Sequence, residues 1–158
     1  MRIGITGHRG LPPDVEDQVR RDLAEAVSSY DLKDVVGVSC IADGPDSWFA
    51  EAVVEGGGRL EVVIPAEEYR EGLPDWHHRT YDALLGRAVD VHRTGLAQSD
   101  SQAHMAGSEL LVGLADQLWA VWDGQPARGY GGTADVVAYA RRVGVPVRIF
   151  WPDGARRG

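Results

Sequence analysis

A glycine-rich segment near the end of the chain, WDGQPARGYGGTAD at residues 122–135, has the composition of a loop that holds an anion. Its last glycines stand directly before Thr133, where a helix is predicted to begin. The first N–H groups of a helix have no partner inside the helix, and they attract phosphate. Thr133 can cap this helix or give its hydroxyl to the phosphate. The segment therefore predicts a phosphate site formed by Asp123, Gly124, Gly129, Gly131, Gly132 and Thr133.

A second glycine-containing loop, TGHRGLPP at residues 6–13, follows the first predicted strand. Gly7 and Gly10 let the backbone approach a ligand closely, just before a helix start. His8 can carry a positive charge, and Arg9 offers a two-pronged donor for phosphate. The loop matches neither the GxGxxG pattern nor the GxxxxGK[ST] phosphate loop. It is therefore compatible with a phosphate contact and equally with a plain tight turn.

Two aspartates follow the second predicted strand in IADGPD, residues 41–46. Asp43 ends a strand-to-helix connection, where an acid often meets a ribose hydroxyl. A structural role is equally open for Asp43, which we include with Gly44 among the predicted ligand contacts. Asp46 is typical of a helix N-cap, and we expect it to cap the helix that follows.

Carboxylates near these loops are the candidates for catalysis. General acid–base catalysis needs a carboxylate near the reacting centre and a proton donor for the leaving group. Asp135 and Glu109 are the predicted catalytic carboxylates, and Asp43 is a third candidate. His8 or His104 can supply the proton.

These loops lie between strands and helices that alternate along the chain. Short apolar runs ended by turn residues are typical of buried parallel strands, and they occur at 2–6, 35–39, 60–64, 117–121 and 147–150, with a weaker run at 89–93. Helical segments are predicted at 13–29, 46–55, 75–88, 101–115 and 133–143. The alternation predicts an α/β, Rossmann-like, doubly wound and mainly parallel sheet with helices on both faces. We expect one domain over residues 1–152 and a disordered tail at 153–158.

The composition bears on partners and location. Because the formal net charge is −8, we expect no stable binding of nucleic acid. No segment approaches the ~20 apolar residues of a membrane span, so no membrane association is predicted. The single cysteine, Cys40, allows no intrachain disulfide and fits a reducing, cytoplasmic location. No metal-binding motif occurs, and no cofactor is required beyond a bound nucleotide.

Three stretches of the sequence resemble the SLOG superfamily, Rossmann-like domains that include the LOG nucleoside-monophosphate phosphoribohydrolases and the DprA domain. They are TGHR after the first strand, SCIADGPDSWFAEAVVEGGGRLEVVIP in the middle, and AVWDGQPARGYGGTADVVAYAR, the most specific, near the end. The resemblance covers nearly the whole chain and is strongest to small stand-alone members of no assigned activity. It implies a nucleotide-type ligand with its phosphate on the glycine-rich loop, and a homodimer formed through helices.

The chain departs from the PGGxGTxxE motif of the LOG enzymes. Gly131, Gly132 and Thr133 stand in comparable places, but Val136 stands where the motif has its acid. Asp135 precedes that place by one residue, a turn of about 100° on a helix. The Arg-Lys pair of the LOG enzymes is absent from HMAGSELL at residues 104–111. We therefore expect a nucleotide-binding or sensing module; a LOG-like hydrolase of the N-glycosidic bond is the first alternative, and a partner-binding scaffold with a vestigial pocket is the second.

Overall fold

Six parallel strands form one sheet in the computed structural model, which describes residues 1–158. The strands are β1 (Arg2–Gly7), β2 (Val36–Ser39), β3 (Arg59–Ile64), β4 (Asp90–Arg93), β5 (Gln117–Val121) and β6 (Val147–Phe150). Their order in the sheet is β4-β3-β2-β1-β5-β6, and every neighbouring pair is parallel. The predicted α/β, Rossmann-like fold is confirmed.

Five α-helices connect the strands and cover both faces of the sheet. They are α1 (Pro13–Ser28), α2 (Pro45–Glu55), α3 (His78–Arg87), α4 (Ser101–Leu114) and α5 (Thr133–Arg142). A single 3₁₀ turn, Asp75–His77, precedes α3, so the helix predicted at 75–88 begins in a tighter form. The helices α1 and α2 pack on one face, and α4 and α5 pack on the other. No helix is both long and apolar enough to cross a membrane.

Aromatic packing fixes the centre of the sheet on the α1 and α2 face. Trp119 of β5 is fully buried, and its ring centroid lies 5.4 Å from that of Phe49 on α2 and 5.1 Å from that of Phe150 on β6. Close packing of large rings leaves little freedom to the strands that carry them. The carboxyl ends of β1 and β5, which carry the two predicted phosphate loops, are therefore held on a rigid frame.

The strand order reverses between β1 and β5. The chain runs from β1 outward through β2 and β3 to β4, then returns to place β5 and β6 on the other side of β1. The loops that follow β1 and β5 therefore diverge from one point at the carboxyl edge of the sheet. In open α/β sheets, this reversal is where a ligand binds.

Candidate functional site

A crevice lies over the carboxyl ends of β1, β2 and β3. Its inner part is a cavity of about 140 Å³ between these strand ends and α4. Its outer part, of about 360 Å³, lies between the loop after β1 and the glycine-rich loop before α5. The two parts are continuous, because the same five residues line both: Thr6, Gly7, Arg9, His104 and Gly131.

The start of α5 leaves main-chain donors open at the outer part of the crevice. Gly132 is the N-cap and Thr133 is the first helical residue, so the cap predicted for the Thr133 side chain does not form. The N–H groups of Thr133 and Ala134 donate to no acceptor in the protein. The Thr133 side chain lines the same cavity. The arrangement offers two N–H groups and a hydroxyl to an anion.

Gly131 gives the loop before α5 its shape. Its φ of +85° lies in the left-handed region, and a Cβ there would lie 3.0 Å from the Ser101 carbonyl oxygen of α4. Its N–H donates to Asp135 Oδ2 at 2.9 Å. Asp135, predicted as a catalytic carboxylate, is thus engaged within the loop, while Glu109 lines neither part of the crevice. Catalytic roles for these two acids remain predictions.

A buried histidine ties the loop after β1 to the loop after β5. His8 Nε2 lies 3.1 Å from Asp123 Oδ1, and Arg157 Nε lies 3.1 Å from Asp123 Oδ2. Burial, and then the charge of Arg157, lowers the pKa of His8, which favours a neutral ring over a cation. The disorder predicted for residues 153–158 remains a prediction, although the structure places Arg157 against His8.

Arg9 and Asp43 form a partly buried ion pair at the junction of two cavities. Arg9 Nε donates to Asp43 Oδ1 at 2.9 Å, and Arg9 Nη2 lies 2.6 Å from the same oxygen. Arg9 lines the crevice, whereas Asp43 lines a neighbouring cavity of about 350 Å³ together with Gly10 and Gly44. The predicted ligand contacts therefore separate into two groups. The crevice brings together Gly7, His8, Arg9, Gly129, Gly131, Gly132 and Thr133, whereas Gly10, Asp43, Gly44, Asp123 and Gly124 lie outside it.

Asp46 is the residue that the sequence interpretation misplaced. The helix α2 begins at Pro45 with Gly44 as its N-cap, so Asp46 is the second helical residue and caps nothing. It lines the inner cavity instead. Burial raises the pKa of Asp46 from 3.8 to about 7, against the lowering effects of the Ala42 N–H and of Arg9. Pro45 was the available signal, because proline favours the first helical position and leaves the residue before it as the cap.

Apart from Arg9, which is paired with Asp43, the other titratable side chains of the inner cavity are neutral near pH 7. Burial lowers the pKa of His104, whose Nε2 lies 2.8 Å from Ser99 Oγ. Burial raises the pKa of the Cys40 thiol and of the Tyr69 hydroxyl well above their usual values. Cys40 is therefore a poor nucleophile here. The cavity combines one acid that can change charge near neutral pH with the Arg9 cation and several neutral hydrogen-bonding groups.

A strained turn follows β2, next to residues that line this cavity. Ile41 is fully buried and has a φ of +47°, which is rare for a β-branched residue and costs about 1–3 kcal/mol. Its carbonyl oxygen lies 2.9 Å from His77 Nε2, and its N–H donates to Ser39 Oγ. These contacts hold the turn that directs Cys40 to the cavity.

A cluster with metal-ligand chemistry lies outside the crevice. Ligand atoms of Glu61, Asp90 and His92 lie within 4.8 Å of one another. However, both Glu61 oxygens accept hydrogen bonds from Arg2, at 2.7 and 2.9 Å. Arg2, together with His92, lowers the pKa of Glu61 to about 2. The cluster is an ion-pair network that joins β1, β3 and β4.

No protein-family model and no curated protein sequence matches the chain. Solved structures share its fold at low sequence identity. The protein TM1055 is 20% identical with a TM-score of 0.62, and the match covers 92% of this chain and 71% of that one. DprA from Streptococcus pneumoniae is 17% identical with a TM-score of 0.67, covering 94% of this chain and 49% of that one. This chain thus spans about half the length of that DprA.

Two further structures are similar. DprA from Helicobacter pylori is 14% identical with a TM-score of 0.69, and the match covers 98% of this chain and 67% of that one. The molybdenum cofactor carrier protein from Chlamydomonas reinhardtii is 19% identical with a TM-score of 0.56, covering 94% of this chain and 74% of that one.

The prediction that the chain has no stable nucleic-acid binding is wrong, and these structural neighbours correct it. It rested on net charge alone, yet the H. pylori DprA, which has this fold, binds single-stranded DNA. Net charge averages over the whole surface, whereas binding depends on the local field. Three arginines line the crevice despite the net charge of −8, namely Arg9, Arg128 and Arg157.

The structural matches include all three sequence stretches on which the predicted resemblance rests. The matches cover more than nine-tenths of it. At these identities the likeness concerns the fold. The chain has the Rossmann-like fold that its sequence motifs predict, and these solved structures share that fold.

Proposed function

We propose that the chain binds a nucleotide-type ligand, with the phosphate at the start of α5. The observation that carries this proposal is the pair of unpartnered N–H groups of Thr133 and Ala134. They stand beside the Thr133 side chain at the positive end of the helix dipole. Arg9 and Arg128 line the same cavity and add charge that complements a phosphate.

The inner cavity suits the rest of such a ligand. Its walls combine the apolar side chains of Ile5, Leu73, Leu111 and Val136 with polar groups that include Asp46, Ser99 and His104. Small-molecule sites commonly combine apolar walls with a few polar groups that fix orientation. A nucleotide with its phosphate in the outer part can extend its base into the inner part, because the two parts are continuous.

Binding is favoured over hydrolysis by the state of the predicted catalytic acids. Asp135 accepts a hydrogen bond from Gly131 within the loop, and Glu109 lies outside the crevice. An acid that assists cleavage has to reach the reacting centre or a water beside it. We therefore propose a binding or sensing role.

Thermal unfolding with a ligand panel tests the proposal. The panel contains AMP, GMP, CMP, ribose 5-phosphate and the unphosphorylated nucleosides. A ligand at about 100 times its Kd stabilises the folded chain by roughly 2.7 kcal/mol. We expect a raised midpoint with one or more phosphorylated compounds and a smaller effect from the matching nucleosides. Absence of any shift across the panel would refute nucleotide binding.

A matched pair of variants locates the phosphate. Thr133→Val removes the hydroxyl with little change of shape, and we expect about tenfold weaker binding of the nucleotide. Binding of the unphosphorylated nucleoside should not change. The control is Thr80→Val on α3, outside the crevice, which should leave both affinities unaltered. Equal affinity in Thr133→Val and the wild type would contradict a phosphate at the start of α5.

Single-stranded nucleic acid is a second candidate ligand. The specific observation is that Tyr130, 62% exposed, lies beside Arg128 and Arg157 at the outer crevice. Exposed aromatic rings and arginines together bind single strands by stacking and charge. Fluorescence anisotropy with a labelled oligothymidylate tests this, and we expect affinity that falls steeply with salt. No binding at low salt would refute it.

A further inference from the structure

We propose that Asp46 reads the base of the bound nucleotide and selects a base edge with two adjacent N–H donors, as in a 2-amino-6-oxopurine. This inference rests on the proposed nucleotide site. It assigns a specificity-determining residue to the inner cavity, where the phosphate contacts of the outer cavity cannot distinguish one base from another.

A partly buried carboxyl lies at the inner cavity of the crevice. Asp46 is held by the first turn of α2 and lines the inner cavity. No side chain of the protein donates a hydrogen bond to its carboxylate, since Ser39 Oγ donates to the Asp46 main-chain oxygen instead. Arg9, the nearest cation, is paired with Asp43 and does not satisfy it. The carboxyl therefore retains acceptor capacity for a ligand.

The hydrogen-bonding capacity of a carboxylate determines which edge of a base it binds. An ionised carboxyl has two oxygens that only accept, and it binds two parallel N–H donors most strongly. Guanine offers such a pair in N1–H and the 2-amino group. Hypoxanthine keeps N1–H and lacks the amino group, and adenine presents one acceptor beside one donor. Ionised Asp46 should therefore bind guanine more tightly than hypoxanthine or adenine.

Protonation of Asp46 changes this ranking. The groups that face it from the surrounding elements are Arg9, Asp43, Cys40, Tyr69 and His104. Cys40, Tyr69 and His104 are neutral near pH 7, and Arg9 and Asp43 form an ion pair. A protonated Asp46 offers one donor and one acceptor, which matches adenine. The preference for the two-donor edge should therefore grow as the pH rises from 6 to 8.

Equilibrium binding of GMP, IMP, AMP and ribose 5-phosphate at pH 6 and pH 8 tests the inference. At pH 8 we expect the wild type to bind GMP about tenfold or more tightly than IMP, because one charge-assisted hydrogen bond distinguishes them. Asp46→Asn is nearly isosteric and should lose this preference, while its affinity for ribose 5-phosphate stays unchanged. The control, Asp17→Asn on the exposed side of α1, should keep the wild-type ranking.

Calorimetry adds a readout that a purely structural role would not change. At pH 6, GMP binding to the wild type should release protons, seen as a heat that depends on the ionisation enthalpy of the buffer. The Asp46→Asn variant should release fewer protons per GMP, because only the proton lost by the phosphate, whose second pKa is about 6, remains. Ribose 5-phosphate gives the proton release of the phosphate alone, so the difference between GMP and ribose 5-phosphate on the wild type tests the inference should the variant fail to fold.

The outcomes separate this inference from the proposed function. If nucleotides bind but Asp46→Asn retains the GMP preference, Asp46 does not read the base and the nucleotide site stands. A variant that weakens all four compounds equally, ribose 5-phosphate included, would overturn base reading as well. If none of the four binds to the wild type, both proposals fail.

Discussion

Replacing Asp46 by asparagine should stabilise the protein at alkaline pH and leave it unchanged in acid. The folded state raises the pKa of this carboxyl from 3.8 to about 7, chiefly by burial. Below pH 3.8 the group is protonated in both the folded and the unfolded states and costs nothing. As the pH rises through about 7, the folded state has to ionise a partly buried acid, and the stability that the proton provided is lost.

The size of the effect follows from the shift. One pKa unit corresponds to about 1.4 kcal/mol, and the shift is about three units, which sets an upper limit of roughly 4 kcal/mol at pH 8. The crevice admits water to the carboxyl, which reduces this figure, so we expect a gain of about 2–4 kcal/mol for Asp46→Asn. Between pH 4 and pH 7 the difference between variant and wild type should increase steadily.

Urea unfolding at several pH values from 4 to 8 measures this difference. Asp17→Asn, on the exposed side of α1, serves as the control and should show a small difference that does not depend on pH. A constant difference between Asp46→Asn and the wild type across this range would refute the raised pKa. A destabilised variant at pH 8 would show that the carboxylate itself supports the fold.

Two further changes have defined outcomes. Gly131→Ala places a Cβ at a φ of +85° and 3.0 Å from the Ser101 carbonyl oxygen. It should therefore cost about 1–2 kcal/mol in chemical unfolding and weaken the nucleotide-dependent rise in melting temperature. Glu61→Gln breaks the bidentate pair with Arg2, and we expect a loss of about 1–2 kcal/mol at pH 7 after allowance for solvent screening. The fold lowers the pKa of Glu61 from its usual 4.5 to about 2. The stability from this pair is therefore present above pH 4.5 and is lost as the pH falls towards 2. At about pH 2 the variant and the wild type should unfold alike.

The fold could be predicted from the sequence because its signals are local. Most strands are short apolar runs that the sequence shows directly, and the strands β5 and β6 have the predicted limits. The weak run at 89–93 became the edge strand β4, since an edge strand is paired on one side and needs fewer apolar residues. Helix starts were placed within one residue, except for α3, where a 3₁₀ turn precedes the helix.

The candidate site could be predicted only in part, because its chemistry depends on which side chains share a cavity. The glycine loop and Arg9 were found from local composition. The sequence predicts Asp46 as a helix cap, but α2 begins one residue earlier, and Asp46 lines the inner cavity. The contact between His8 and Arg157 joins residues 149 positions apart, and no local pattern encodes it. The net charge of the whole chain likewise gives no information about the three arginines that line the crevice.

The central position of β1 has a consequence for the order of folding. β1 pairs with β5, and Ile3 in one strand lies beside Gln117 in the other, so the middle of the sheet closes only after most of the chain is available. Pairings this distant in sequence form slowly, because the loop between them has to be ordered first. The two loops that border the outer crevice meet only when this pairing is complete. A ligand that needs both loops therefore recognises the finished sheet, and it extends the lifetime of the native state without hastening its formation.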